Sequence, residues 1–155
     1  MTLPNQLKEK LMKLFYTQPL AVLSTHNQGQ PYGSLVAFVV SEDLKQIYFA
    51  TDRATNKYRN ISSDHRVSIL IDNRSNQPID IHRAIAATAL GVAREVPKND
   101  NSYPLKLYLN KHPHLRDFVH DENCVLLCIE VKKYYVVDKF QQVEEFNPET
   151  YTASD

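Results

Sequence analysis

The segment Thr51-Asp52-Arg53-Ala54-Thr55-Asn56-Lys57-Tyr58-Arg59-Asn60 holds the residues best suited to chemistry. Its apolar lead-in, Gln46 to Thr51, reads as a strand, and Thr55 to Ile61 reads as a short helix capped by Thr55 or Asp52. Arg53, Lys57 and Arg59 therefore surround a strand-to-helix junction. Free backbone N–H groups and the positive end of a helix dipole favour an anion at such a junction. Thr55 and Asn56 add hydrogen-bonding side chains and Lys57 adds a point charge, so a phosphate is the natural guest. The competing reading is a capped surface helix with solvated basic residues.

Other chemistry-bearing residues form weaker patterns. His112, His114, His120 and Cys124 are the closest metal-like group, but their spacing matches no closed zinc pattern and Pro113 divides the first two. No metal site is expected. Cys124 and Cys128 lie on one face of a strand, cannot bridge to each other, and read as small core residues, reduced and unreactive. Neither a Gly-x-Ser-x-Gly elbow nor a Gly-x-Gly-x-x-Gly or Walker loop occurs, so standard hydrolase, dinucleotide and nucleoside-triphosphate sites are not expected.

The elements that must position these residues follow from periodicity. Leu7, Leu11, Leu14 and Phe15 mark one amphipathic helix over residues 5–16, entered near Pro4 and ended by Pro19. Leu20–Thr25 and Pro31–Val40 read as a hairpin around Asn27-Gln28-Gly29-Gln30, with Gly29 at positive φ. Residues 35–40 are apolar on both faces, which calls for cover on both sides of that strand. Arg66–Ile71 is a further strand, and residues 73–80 form a polar loop. Residues 81–96 are ambiguous, since the alanines favour helix while Thr88, Val92, Val96 and the central Gly91 suit a strand. Tyr103–Leu109 and Leu115–Val119 read as short helices, Cys124–Val137 as a long strand and Phe140–Phe146 as a last one. Residues 147–155 lack periodicity and are expected as an exposed tail that meets a partner through Tyr151. The fold expected is mainly β (α+β), an antiparallel barrel with short peripheral helices.

The 155 residues form one expected domain, 1–155, with no linker or repeat. Eighteen Lys and Arg balance eighteen Asp and Glu, which argues against a general nucleic-acid binder. No apolar run approaches a membrane span, the first residues do not read as a signal peptide, and two cysteines make no disulfide framework. A cytoplasmic protein is expected.

The ordered series Ser24-Thr25, Gly29-Gln30-Pro31-Tyr32, an apolar strand, Phe49-Ala50-Thr51, Thr55-Asn56-Lys57 and Arg66-Val67-Ser68-Ile69-Leu70 resembles the pyridoxamine 5'-phosphate oxidase-like family of flavin-binding split barrels. It runs from about Leu20 to Glu95. The resemblance implies a split barrel, turns residues 81–96 into a strand, and gives Ala84, Ala86, Ala87 and Ala89 the task of leaving room for a partner subunit or a flavin ring. It implies a homodimer with FMN at its interface. Thr55, Asn56 and Lys57 would then hold the FMN phosphate, with Arg53 or Arg59 adding longer-range charge. The ring would lie along Ser34, Leu35, Val36 and Ala37, near Thr51.

Several positions depart from the true pyridoxamine phosphate oxidases. Ser34 and Asn56 stand where those enzymes carry Arg, Val39 near a Lys and Ala86 where they carry Gln. Losing cationic donors weakens recognition of a phosphorylated substrate. The expected activity is therefore that of an FMN-dependent oxidoreductase acting on a small molecule, with pyridoxamine phosphate oxidase activity itself not expected. The alternatives are a non-catalytic flavin carrier or sensor, a haem-binding split barrel using His82, His112 or His114 as axial ligand, and a barrel dimer without a ligand.

Overall fold

A computed structural model describes residues 3–139 and 142–152. The first element, α1 (Leu3–Thr17), turns Leu7, Leu11, Leu14 and Phe15 to one buried face, as the 3–4 spacing requires. Strands β1 (Leu20–Asn27) and β2 (Gln30–Val40) form the hairpin. Its two-residue turn places Gln28 at φ 49° and Gly29 at φ 85°, a pair of positive angles that matches the twist of the flanking strands. Then follow β3 (Gln46–Asp52), α2 (Asn56–Ser63) and β4 (Arg66–Asp72). The chain continues through α3 (Asp80–Arg83), β5 (Ala86–Val96), α4 (Tyr103–Lys111), a 3-10 turn (Pro113–Leu115) and α5 (Arg116–His120). It ends with β6 (Cys124–Asp138) and β7 (Gln142–Phe146).

All pairings are antiparallel, in the order β3-β2-β1-β4-β5-β6-β7. A further pairing of β3 with β6 closes six strands into a barrel and leaves β7 beside it on the second half of β6. The expected mainly-β split barrel with short helices is the fold observed. Residues 86–96 form a strand despite the helix propensity of their alanines, because β4 and β6 flank them on both sides. The register slips between Leu90 and Gly91. There a Cβ on Gly91 would sit 2.2 Å from the Glu130 carbonyl oxygen, so glycine is the residue that fits.

Alternation divides the barrel residues into two cores. Leu23, Val36, Phe38, Phe49, Ile69, Ile71, Ile129 and Tyr134 fill the interior together with the buried face of α1. Val39, Tyr48, Ala50, Cys124, Leu126 and Cys128 point outward and are buried under Leu105, Tyr108 and Leu109 of α4. The cover expected for the second face of the Val39 region is therefore the chain's own helix, while α1 packs on the barrel interior. Cover stops short of Leu35, which is 67% exposed. Ala87 and Ala89 point into the packed interior and leave no room there for a ligand or partner; Ala84 and Ala86 are half-buried. Small side chains are needed inside because Phe15, Phe38 and Tyr134 crowd the same space.

The polar loop after Asn73 ends in α3, a helix too short for periodicity to reveal. Tyr151 packs on the ring of Phe146, lies beneath the Lys8 ammonium and bonds Asn5. The expected exposed tail is thus docked on its own chain at Tyr151, since β7 and α1 offer an apolar seat; residues 153–155 lie outside the described residues, as do 140 and 141 of the expected last strand. No helix among the described residues is long and apolar enough to cross a membrane.

Candidate functional site

The barrel opens between β2 and β3. These strands pair only through Phe38–Phe49, Val39–Tyr48 and Val40–Ile47. Beyond Phe38, β2 stays with β1 to the hairpin turn, while β3 stays with β6 to Asp52. The two strands thus separate, with Ser34–Ala37 on one lip and Ala50–Asp52 on the other. Tyr108 of α4 closes the inner end of the gap, its hydroxyl donating to the Ala37 carbonyl at 3.3 Å. Burial pushes its phenol far above the usual range, so it remains a neutral donor.

Immediately after Asp52 the chain turns into α2, as the sequence leads one to expect. Thr55 is the N-cap: its hydroxyl accepts from the Tyr58 N–H at 3.3 Å and donates to the Asp52 carbonyl at 2.8 Å. Asp52 takes the other capping task, its carboxylate accepting from the Ala54 N–H at 2.8 Å. Thr51, only 3% exposed, places its hydroxyl 3.0 Å from that of Thr55. Strand end and helix start are therefore locked together by short side chains, and Thr51, Thr55, Asn56 and Lys57 are gathered at one place.

The remaining predicted residues divide. Ser34 and Val36 share the inward face of β2, and Val36 belongs to the interior core, so only its backbone faces the gap. Leu35 and Ala37 point outward beside it. The Ser34 hydroxyl oxygen is buried without a hydrogen-bond partner among the described residues. Lys57 is half-buried, and no ion pair or hydrogen bond engages it among the described residues. Arg53 is turned away: its guanidinium meets Glu95 at 3.3 Å and the Tyr58 hydroxyl at 3.4 Å. Arg59 donates to the Ala54 carbonyl at 3.0 Å and to the Asn56 side chain. Of the three cations in the segment, Lys57 is the one left uncommitted among the described residues.

The histidines have separate partners. His112 is buried with its Nε2 2.7 Å from the Phe38 carbonyl, and burial lowers its pKa. His114 packs edge-on against that ring at 6.1 Å. His120 bridges the Arg116 carbonyl and Asp100, each at 2.7 Å. No group of three or more His, Cys, Asp and Glu converges among the described residues. Both cysteines are buried free thiols, Cys124 donating to the Val125 carbonyl and Cys128 to the Glu130 carboxylate, and burial pushes the Cys128 thiol up to about 12. Sequence reasoning missed the contacts of Tyr108 and His112 with β2. Nothing in a helical spacing shows which strand carbonyl a side chain some seventy residues away will meet.

A residue set that fits a phosphorylated, planar ligand is thus present: a free ammonium at a capped helix start, two adjoining hydroxyls, an orphaned buried hydroxyl and an opened sheet edge. Against known proteins, the family model described as pyridoxamine 5'-phosphate oxidase matches residues 7–138. No curated protein matches. Among solved structures, general stress protein 26 of Bacillus anthracis is 25% identical, covering 92% of this chain and 98% of that one at a TM-score of 0.69. A heme binding protein from Mycobacterium smegmatis shares the fold at 17% identity and a TM-score of 0.78, covering 92% of this chain and 58% of that one. This chain thus spans little more than half of that protein. A FAD-binding protein from Mesorhizobium loti shares it at 15% identity and a TM-score of 0.64, covering 83% and 90%.

Proposed function

The chain belongs to the pyridoxamine 5'-phosphate oxidase family, and on that premise we propose that it binds a flavin through its FMN unit in the gap between β2 and β3 and acts as an FMN-dependent oxidoreductase. The observation that carries this reading is the buried, unpartnered Ser34 hydroxyl on the lip of the gap. Native proteins rarely leave such a group unsatisfied, and a ligand hydrogen bond there supplies the missing partner. A bound flavin supplies hydride or single-electron transfer, and the chain's task is to orient it and exclude water. Lys57 pairs with the phosphate, helped by the N–H groups at the start of α2. Thr55 and Thr51 hold that turn rigid, and Asn56 offers its amide. Arg53, neutralised by Glu95, supports the turn and leaves the phosphate to Lys57.

FAD-binding and heme-binding proteins share this fold. A flavin is favoured over haem because His112 has its Nε2 engaged by a backbone carbonyl and is buried beneath α4. The proposal includes a homodimer. Leu20, Leu35 and Leu90 are exposed on the outer face of β2, β1, β4 and β5, beside half-buried Val22 and Leu70. A second copy on this face would bury them and cover the gap.

The test compares FMN with riboflavin on the parent protein and on Lys57→Ala. A hydrogen bond to a charged group contributes about 1.5–3 kcal/mol, and the half-exposed setting of Lys57 points to the lower end, roughly a tenfold loss of FMN affinity. Riboflavin, lacking the phosphate, responds little. Equal loss for both ligands, or for neither, removes Lys57 from the site.

A further inference from the structure

A second cleft adjoins this site. It measures about 460 Å³ and lies between the β1–β2 hairpin, through Asn27, Gln30 and Tyr32, and the face of α2 that carries Asn56, Arg59 and Asn60. Its walls are fixed. Asn60 donates to the buried Thr25 hydroxyl at 3.0 Å and ties helix to hairpin at the floor. At the far end His26 meets Asp64 at 3.0 Å while accepting from the Gly29 N–H at 3.1 Å. Arg66 in turn holds the Asp64 carboxyl well below the usual carboxylate range. These contacts tie the hairpin to α2 and to its C-terminal cap, and so set the spacing across the cleft.

Its lining has one chemical character. Four carboxamides and a tyrosine ring line it with Pro31 and Ser63, and Arg59 is the one charged residue in that lining among the described residues. The Gln30, Asn56 and Asn60 amides each already make one hydrogen bond within the protein, and Asn27 makes none among the described residues. Arg59 itself is drawn toward Asn56, at the end nearer the phosphate position. The side chains of Asn27 and Tyr32 have no partner among the described residues, and Tyr32 is 41% exposed. Carboxamides read the donor and acceptor edge of a neutral heterocycle, and an exposed aromatic ring offers a stacking face. A guanidinium at the phosphate end suits a second phosphate group.

We propose that this cleft is a nucleoside subsite, continuous with the phosphate position through Asn56, so that the site takes FMN extended by adenosine monophosphate, namely FAD, in preference to free FMN. This rests on the flavin reading above and adds to it the identity of the nucleotide. The adenine stacks on Tyr32, with Asn27 and Gln30 at its edge, and Arg59 faces the pyrophosphate.

The experiment titrates apoprotein with FAD and with FMN, following flavin fluorescence, for the parent and for Tyr32→Ala and Asn27→Ala. FAD is expected to bind the parent roughly tenfold or more tightly than FMN, the size of one base-stacking contact. Tyr32→Ala should remove that preference while leaving FMN affinity and melting temperature unchanged; Asn27→Ala should reduce it. If FMN binds in a Lys57-dependent way and FAD gains nothing, the flavin reading stands and the subsite is wrong. If neither flavin binds, the flavin reading itself is wrong. A third arm adds AMP at saturation to the FMN titration. AMP that tightens FMN binding while FAD shows no preference means a separate adenine nucleotide occupies the cleft, which overturns the dinucleotide assignment.

Discussion

Ser34→Ala should move stability and ligand affinity in opposite directions. In the free protein the Ser34 hydroxyl is buried with no partner among the described residues. Leaving a buried polar group unsatisfied costs about 1–3 kcal/mol, and alanine removes the group while keeping the Cβ. The ligand-free variant should therefore be more stable than the parent by about 1 kcal/mol, which for a chain of this length is a rise of about 2–4 °C in Tm. With flavin present the order changes. If the hydroxyl bonds the flavin, the variant loses one neutral hydrogen bond, about 0.5–1.5 kcal/mol, or a few-fold in Kd. Thermal melts of both proteins across a flavin titration read both effects, because ligand stabilisation grows with the logarithm of concentration over Kd. A destabilised ligand-free variant, or one with unchanged flavin affinity, removes this role from Ser34. The first result would mean the hydroxyl is satisfied in the free protein, the second that it serves no ligand.

Three further outcomes follow from the fold. Gly91→Ala places a Cβ 2.2 Å from the Glu130 carbonyl and 2.9 Å from the Ile129 side chain, so it should cost about 1–3 kcal/mol in chemical denaturation. Unchanged stability would mean that the β5–β6 bulge is free to shift. Burial lowers the His112 pKa below its unfolded value near 6.5. The unfolded chain then binds the extra proton first, so stability falls as pH drops through about 6.5, by at most about 1.4 kcal/mol per pH unit. His112→Gln should flatten that part of the profile relative to the parent, whereas His120, raised by Asp100, contributes the opposite slope in both proteins. Cys124 and Cys128 should resist thiol reagents in the native protein and react only on unfolding, since both are buried and burial raises both pKa values.

The legible parts of this chain are those set by local rules. The Leu7-Leu11-Leu14-Phe15 stripe gave α1, Gly29 the hairpin turn and Thr55 the cap of α2, because each acts within a few residues of itself. For residues 86–96 propensity alone picks helix, and only the family resemblance makes them a strand. The alanines there answer to a crowded interior that distant Phe15, Phe38 and Tyr134 create. Likewise Val39 is covered by Tyr108 and Leu109, far along the chain, so its two apolar faces could not reveal which element would cover the second. The gathering of Thr51, Thr55, Asn56 and Lys57 at one turn was legible, because they lie close together in sequence. It was not legible that Arg53 pairs with Glu95, or that Tyr32 stands across a cleft from α2, because the barrel's closure sets both.

The proposed occupant of the gap between β2 and β3 is a flavin. The absorption spectrum of the purified protein, together with mass spectrometry of the small molecule it releases on denaturation, reads that occupant. The expected result is the two visible bands of oxidised flavin and a released flavin nucleotide, or uptake of one by protein purified without it. A sharp Soret band, or a colourless protein that takes up no flavin, overturns the flavin assignment.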